Sequence, residues 1–329
     1  VDAYFAANGE RSYEDRIYRQ LAEFYLEKLR YHDAAVVYQA FVDLHPIHRV
    51  SPRFSMRVVE IYEAGGFPNL VLEAKKEFAS RYDLHSEYWR HFDPQTSPEV
   101  LHDLKRNLGD LASHYHARYQ DAEPDADRTG DFEESTRWYR GYLSSFPSDP
   151  ETPGIHHRLA DLLLEHEDFG DAAREYERTA YDYPRHEKSA SAGYAAIYAH
   201  REREKRTPVS ERPAVVREAV ASTLRFVDGF PDHAQAAIVL AAAAEDLYDL
   251  HELDRAMVSA RRVIDTYPQA DRSVLRSAWT VVAHASFDLS LYEPAEQAYA
   301  HVLGITPDDD ESRQAVVDSL AAAIYKQGE

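Results

Sequence analysis

Apolar side chains recur along this chain at three- and four-residue steps, the period of a helix with one buried face. Tyr18, Leu21, Ala22 and Tyr25 form one such face, and Ala34, Tyr38 and Phe41 form a second, which Pro46 ends. The same order returns as Leu159, Ala160 and Leu163, then Ala172, Tyr176, Thr179 and Pro184, each displaced by the same number of positions. A repeat of this kind predicts units that bury their apolar faces against one another. It also moves the search for function from a pocket to an extended surface.

Prolines frame the repeat. Pro46, Pro147, Pro184, Pro231, Pro268 and Pro307 each follow an apolar helix end such as Tyr142 to Phe146 or Val263 to Tyr267. Proline cannot continue a helix and pushes its predecessor towards an extended conformation, so these are helix stops. Several intervals are about 37 residues, room for two helices of about four turns with short connections. The predicted units are 15–48, 52–84, 98–149, 153–186, 188–233, 237–270 and 274–309, with a partial unit at 311–329, in one continuous array over 1–329. Small residues mark close helix approach: Ala22, Ala160, Ala195, Ala244 and Ala283 in first helices, and Ala34, Ala172, Ala219, Ala256 and Ala295 in second helices. Tyr25, Tyr38, Tyr176, Tyr198 and Tyr299 are expected to fill the gaps between them. The stretch Glu311 to Tyr325 reads as a helix with no partner. Repeat arrays usually finish with a polar cap, so a piece of a longer protein is expected.

These residues resemble the tetratricopeptide repeat (TPR) family, which pairs antiparallel helices with a bulky residue, Leu, a small residue, Tyr, Ala, an aromatic and Pro at set places. The match is close at Tyr18, Leu21, Ala22, Tyr25, Ala34, Tyr38 and Pro46, and at Leu159, Ala160, Ala172, Tyr176 and Pro184. Ala112, Tyr115, Tyr139 and Pro147 mark the third unit, Ala195, Tyr198, Ala219 and Pro231 the fifth, and Trp279, Ala283, Ala295, Tyr299 and Pro307 the seventh. The second unit departs from the pattern, with Tyr62 and Phe78 but Asp83 in place of proline. The resemblance implies an all-α, right-handed solenoid of about seven helix pairs plus a C-terminal orphan helix. It implies a non-enzymatic scaffold that grips a peptide or protein in a concave groove. The aromatic-Pro unit endings are similar to those of bacterial cell-envelope repeats, which implies a periplasmic or envelope-associated setting, with the cytoplasm as the alternative.

Three insertions interrupt the spacing. Leu84 to Thr96 contains Tyr88, Trp89 and Phe92 and reads as a plug over core or as a binding surface. Arg203 to Arg212 lengthens the turn in the fifth unit, and Asp121 to Gly130 the turn in the third. In that third-unit turn Asp125, Asp127, Thr129, Asp131 and Glu133 stand at alternate places with Gly130 at the sixth, like the start of a calcium loop. The twelfth place holds Thr136 instead of a bidentate Glu, so the competing reading is a solvated acidic turn. A calcium-regulated module using 125–136 is therefore one alternative function, and an accessory region of an enzyme another.

Composition narrows the choices. The chain has 329 residues, 58 Asp and Glu against 37 Lys and Arg, and a formal charge of −21. A field of that sign repels phosphate backbones, so no nucleic-acid partner is expected. The absence of cysteine removes disulfides, thiolate metal sites and a cysteine nucleophile, but identifies no compartment. No metalloprotease, nucleophile-elbow, phosphate-loop or dinucleotide motif occurs, and no cofactor is expected. Of the 17 histidines, His114 and His116 diverge on a helix, as do His156 and His157, while His45 and His48 could converge around Pro46 without an evident third ligand.

The remaining candidate is the groove that the family places along its first helices. The resemblance assigns Arg16, Arg19, Arg53 and Arg57 to it, with Glu23 and Glu60 beside them. Guanidinium forks suit carboxylates, so an acidic partner segment or a chain terminus is one expectation. The other is that these Arg and Glu residues simply pair with one another. Glu23 stands where the carboxylate-clamp pattern of chaperone-binding relatives has Asn, so that specificity is not carried over. Asp161, Glu245, Tyr248, His284, Phe287 and Asp288 are expected to continue the groove with a more acidic and aromatic character, which would orient the partner.

Overall fold

A computed structural model describes residues 1–8, 11–123 and 126–328. Among them the regular structure is sixteen α-helices and two short 3-10 turns, with no strand. Close contacts divide the chain into two compact units, 1–155 and 156–329.

The first unit opens with α1 (Asp2–Asn8), then pairs α2 (Glu14–Glu27) with α3 (Tyr31–Leu44), α4 (Ser51–Gly65) with α5 (Pro68–Arg81), and α6 (Pro98–Asp121) with α7 (Thr129–Ser145). The second carries α9 (Phe169–Tyr181), α10 (Ser189–Arg206), α11 (Arg212–Gly229), α12 (Ala236–Asp249), α13 (Leu253–Thr266), α14 (Arg272–Asp288), α15 (Tyr292–Ile305) and α16 (Arg313–Gln327). The division falls within α8 (Thr152–Glu165), the first helix of the fourth pair. The expected seven pairs and C-terminal helix are present in an all-α TPR-type fold. The short α1 was not anticipated; it stacks Phe5 on Tyr18, with ring centroids 6.3 Å apart.

Local chemistry explains the helix boundaries. His45, Phe146, Phe230 and Tyr267, each just before a proline, share φ between −122° and −135° and ψ between 53° and 61°. The proline ring clashes with a helical predecessor, so the helix ends there. Prolines also open α4, α5, α6 and α11, where the missing N–H has no helical partner to lose. The turns inside five pairs use one device. Leu29, Gly66, Glu167, His251 and Ser290 all have φ between 56° and 74°. In each, the next residue's N–H reaches back to a carbonyl of the helix, as Arg30 does to Tyr25 and Glu252 to Leu247. Only Gly66 has the residue type that takes this conformation without strain.

Packing follows the predicted small and large positions. Ala22, Ala34, Ala112, Ala160, Ala172, Ala219, Ala244, Ala256, Ala283 and Ala295 are completely buried. In the first unit an aromatic ladder joins three helices: Tyr18 to Phe41 at 5.4 Å, Phe41 to Phe54 at 5.0 Å and Tyr38 to Phe54 at 4.7 Å, all edge-on. Each such ring contributes roughly 1.5–3 kcal/mol by its burial. The insertion between α5 and α6 is a plug. Tyr88 is buried, and the Trp89 indole N–H donates to the Tyr82 carbonyl at 2.9 Å.

The fifth pair corrects the expected register. Tyr198 is 53% exposed and Ala195 is only half-buried, while Ala192, Gly193, Ala196, Ala199 and His200 form the buried face of α10. Gly193 decides the phase. A Cβ there would lie 3.0 Å from the Phe226 ring and 3.0 Å from the Tyr181 hydroxyl, tighter than ordinary contact, so the missing side chain lets α11 pack closely on this face of α10.

Candidate functional site

A groove of about 780 Å³ in the first unit gathers four of the expected residues. Glu23 comes from α2, and Arg53, Arg57 and Glu60 from successive turns of α4; α6 completes the wall with Glu99, His102 and Asp103. Sequence reasoning missed the α6 members. The signal available was their place on the next first helix, at the same three- and four-residue steps as Arg53, Arg57 and Glu60. Met56 lines the groove, and beneath it the buried Asn107 amide donates to the Met56 sulfur at 3.2 Å.

The charges of this groove are not those of an arginine cluster. Arg57 donates to Glu60 at 2.5 Å and to Glu23 at 3.5 Å, and the Tyr38 hydroxyl donates to the same Glu23 oxygen at 3.0 Å. The guanidinium is thereby held in its charged form against the penalty of its burial. Four carboxylates, from Glu23, Glu60, Glu99 and Asp103, face the guanidiniums of Arg53 and Arg57, and Asp103 also pairs with Arg106 at 3.2 Å. Burial raises the Asp103 pKa, Arg106 and His102 pull it down, and Glu60 and Glu99 push it up again; the net direction is upward. The carboxylates thus outnumber the cations, and the acidic partner segment expected from the arginines loses its basis here. Arg16 and Arg19 do not line the groove. Arg16 is exposed on α2, and Arg19 sits 3.7 Å from Asp15 with its guanidinium 5.7 Å from the Phe54 ring centroid. For Arg19 and Arg57 the pairing alternative describes the structure.

In the second unit the expected residues fall into two places. Asp161 accepts from the Tyr176 hydroxyl at 2.6 Å and lies 3.0 Å from His157. Burial and this carboxylate raise the Tyr176 pKa. Tyr248 on α12 meets α14, donating to Asp288 at 2.8 Å, with its ring 5.7 Å from that of His284. The Tyr248 hydroxyl is pushed up to about 12 by burial and then by Asp288. Burial lowers the His284 pKa, so its ring is neutral at pH 7. Phe287 packs edge-on against Tyr292 at 5.5 Å, and the Ser277 hydroxyl donates to Glu245. One repeat position unites several of these residues. Glu23, Asp161 and His284 each face a tyrosine fifteen positions on, respectively Tyr38, Tyr176 and Tyr299. Their first commitment is to their own pair.

The third-unit turn does not make a calcium cup among its described residues. Asp125 lies outside them. The helix α7 already starts at Thr129, where Asp127 accepts the backbone N–H at 3.0 Å. Asp131 and Glu133 are therefore helical, Asp131 points about 200° away from Thr129 and Glu133, and it pairs with Arg118 at 3.2 Å. Three of the candidate histidines are engaged within the fold: His116 meets the Tyr139 hydroxyl at 3.0 Å, His156 meets Glu175 at 2.5 Å, and His45 meets the buried Glu14 at 3.0 Å. Among the described residues no helix is long and apolar enough to cross a membrane.

No protein-family model matches the chain, and no curated protein matches it in sequence. Solved structures do. The C-terminal part of a TPR repeat-containing protein from Cytophaga hutchinsonii is 12% identical, with 92% of this chain and 98% of that one covered and a TM-score of 0.38. A tetratricopeptide repeat protein from Parabacteroides merdae is 12% identical over 94% and 98%, at 0.30. The TPR2AB-domain:pHSP90 complex of yeast Sti1 is 11% identical over 95% and 98%, at 0.34. With its helices paired in order and the alanines of most units buried at the repeat positions, the chain has a TPR-type fold.

Proposed function

We propose that this chain is a non-enzymatic interaction scaffold whose first unit receives a polypeptide segment in the groove between α2, α4 and α6. A lysine or arginine of that segment sits among Glu23, Glu60, Glu99 and Asp103. The observation that carries this reading is the groove itself: an open channel walled by three successive first helices, with four carboxylates against the guanidiniums of Arg53, Arg57 and Arg106. A basic side chain there gains charge-assisted hydrogen bonds, and its field favours the ionised Asp103, whose pKa is raised first by burial and then by Glu60 and Glu99. An extended segment suits parallel helix faces because it touches one turn of each. The cell-envelope setting rests on the resemblance of the aromatic-Pro unit endings.

The test is site-specific photo-crosslinking from position 102 in native cells, with Glu60→Lys as the comparison. A crosslinked partner whose bound segment carries Lys or Arg, and whose yield collapses in Glu60→Lys, is the expected result. A partner crosslinked equally in both, or through an acidic segment, refutes the reading.

A further inference from the structure

A second opening lies along α4 and α6, which also wall the groove. Where α4 turns into α5, a cavity of about 660 Å³ is walled by Tyr62, Phe67, Val71, Leu72 and Leu111. Gly66, at φ 74°, swings the chain so that Phe67, 38% exposed, stands at its edge. At the mouth Lys75 bonds Asp110 at 2.8 Å and Glu63 at 3.4 Å. Burial, then Arg118, lowers the pKa of His114 beside them, so the imidazole adds no positive charge at pH 7. The mouth thus holds two carboxylates, both bonded to Lys75, around an apolar interior, with Arg118 and Lys76 acting on His114 at its side. That combination suits an apolar side chain carried on a basic segment.

The cavity and the groove share a seam. Met56 and Glu63 are seven apart on α4, and Asp103 and Asp110 seven apart on α6, so each pair lies on one side of its helix. Asn107, bonded to Met56, holds the two helices together between the openings. From the helix rise, the two openings are offset by roughly 12–17 Å. An extended chain covers that distance in about four or five residues.

We propose that the cavity takes an aliphatic or aromatic side chain of the same partner segment, about four or five positions from the basic residue in the groove. The proposal rests on the groove reading and adds a second anchor and a spacing to it.

The experiment uses the full chain and fluorescein-labelled, end-blocked peptides of Ser and Gly carrying one Arg and one Leu five positions apart, in both orders. Binding is followed by anisotropy against peptides with Leu→Ser, with Arg→Glu, and with the two residues adjacent. Ser113, exposed on α6 at the cavity wall, is changed to Trp to fill it and to Ala as a control. Unchanged melting temperatures establish that both variants fold. One peptide order should bind at least about tenfold more tightly than its Leu→Ser and adjacent forms. That preference should vanish in Ser113→Trp and persist in Ser113→Ala. Binding that depends on Arg and Glu60 but ignores the Leu and Ser113→Trp overturns the cavity proposal and leaves the groove reading standing. Leu-dependent binding lost in Ser113→Trp but indifferent to Glu60→Lys keeps the cavity and refutes the groove. No binding by any peptide overturns the proposal, as does self-association of the chain that Ser113→Trp abolishes.

Discussion

Replacing Tyr88 by alanine should cost the fold about 3 kcal/mol, because the insertion that carries it acts as a plug. Tyr88 is 3% exposed, and three rings enclose it: Phe92 stacked at 4.6 Å, and Tyr82 and Trp89 edge-on at 5.1 Å each. Truncating a buried aromatic costs about 3–5 kcal/mol, which already includes the cavity left behind. Phe92 is only half-buried, so the site can collapse in part, and the lower end of that range applies. Tyr88→Phe keeps the ring contacts and should cost less than about 1 kcal/mol. The assay is urea unfolding followed by Trp89 fluorescence, in a background where Trp138 and Trp279 are phenylalanine. Trp89 is a direct reporter because its indole N–H is tied to the Tyr82 carbonyl. If Tyr88→Ala costs less than about 1 kcal/mol, the segment lies on the core without sealing it, and a binding role for its aromatics becomes the better account.

Leu29 is 72% exposed at φ 56°, so Leu29→Gly removes about 1–2 kcal/mol of strain, loses part of that to chain entropy, and should raise stability by about 0.5–1 kcal/mol in urea melts; a loss would refute the turn argument. Ala172 is completely buried, so Ala172→Leu should overpack the fourth pair and cost about 1–3 kcal/mol, and an unchanged melting temperature would contradict its place in the core. Asp310 accepts from the Ser312 hydroxyl and backbone N–H and from Arg276, which hold its pKa at about 2, below the ordinary 3.8. A depressed carboxyl stabilises the fold above the unfolded value and loses that effect as pH falls through the folded one. Asp310→Asn should therefore flatten the decline in melting temperature between about pH 4 and pH 2, and an unaltered profile would show that these bonds contribute nothing.

The parts legible in the sequence are those governed by near neighbours. The residues before the six framing prolines left their helices as expected because a steric clash between adjacent residues does not depend on the rest of the molecule. The buried alanines stood where their repeat spacing put them. The fifth pair misled because α10 is rich in small residues on more than one side, with Ala192, Ala195, Ala196 and Ala199 all available. Phe226, Phe230 and Tyr181 chose the face that holds Gly193. The four turn residues with positive φ other than glycine carried no sequence signal, since Leu, Glu, His and Ser are held there by the helices on either side.

The candidate site was less legible, and for a different reason. The groove arginines look basic when counted along α2 and α4 alone. The sign of a groove is a sum over every element that faces it, and α6 adds Glu99 and Asp103 after an insertion that breaks the repeat spacing. The apolar cavity has no sequence signature at all, because Tyr62, Val71 and Leu111 lie on three helices and each reads as ordinary core. The sequence by itself determined a chain of paired helices, since helix period, small contact positions and proline stops act over a few residues. Only the tertiary structure decided which carboxylates meet over the groove and where the apolar cavity opens beside it. Charge and shape at a surface are properties of helices brought together from distant parts of the chain.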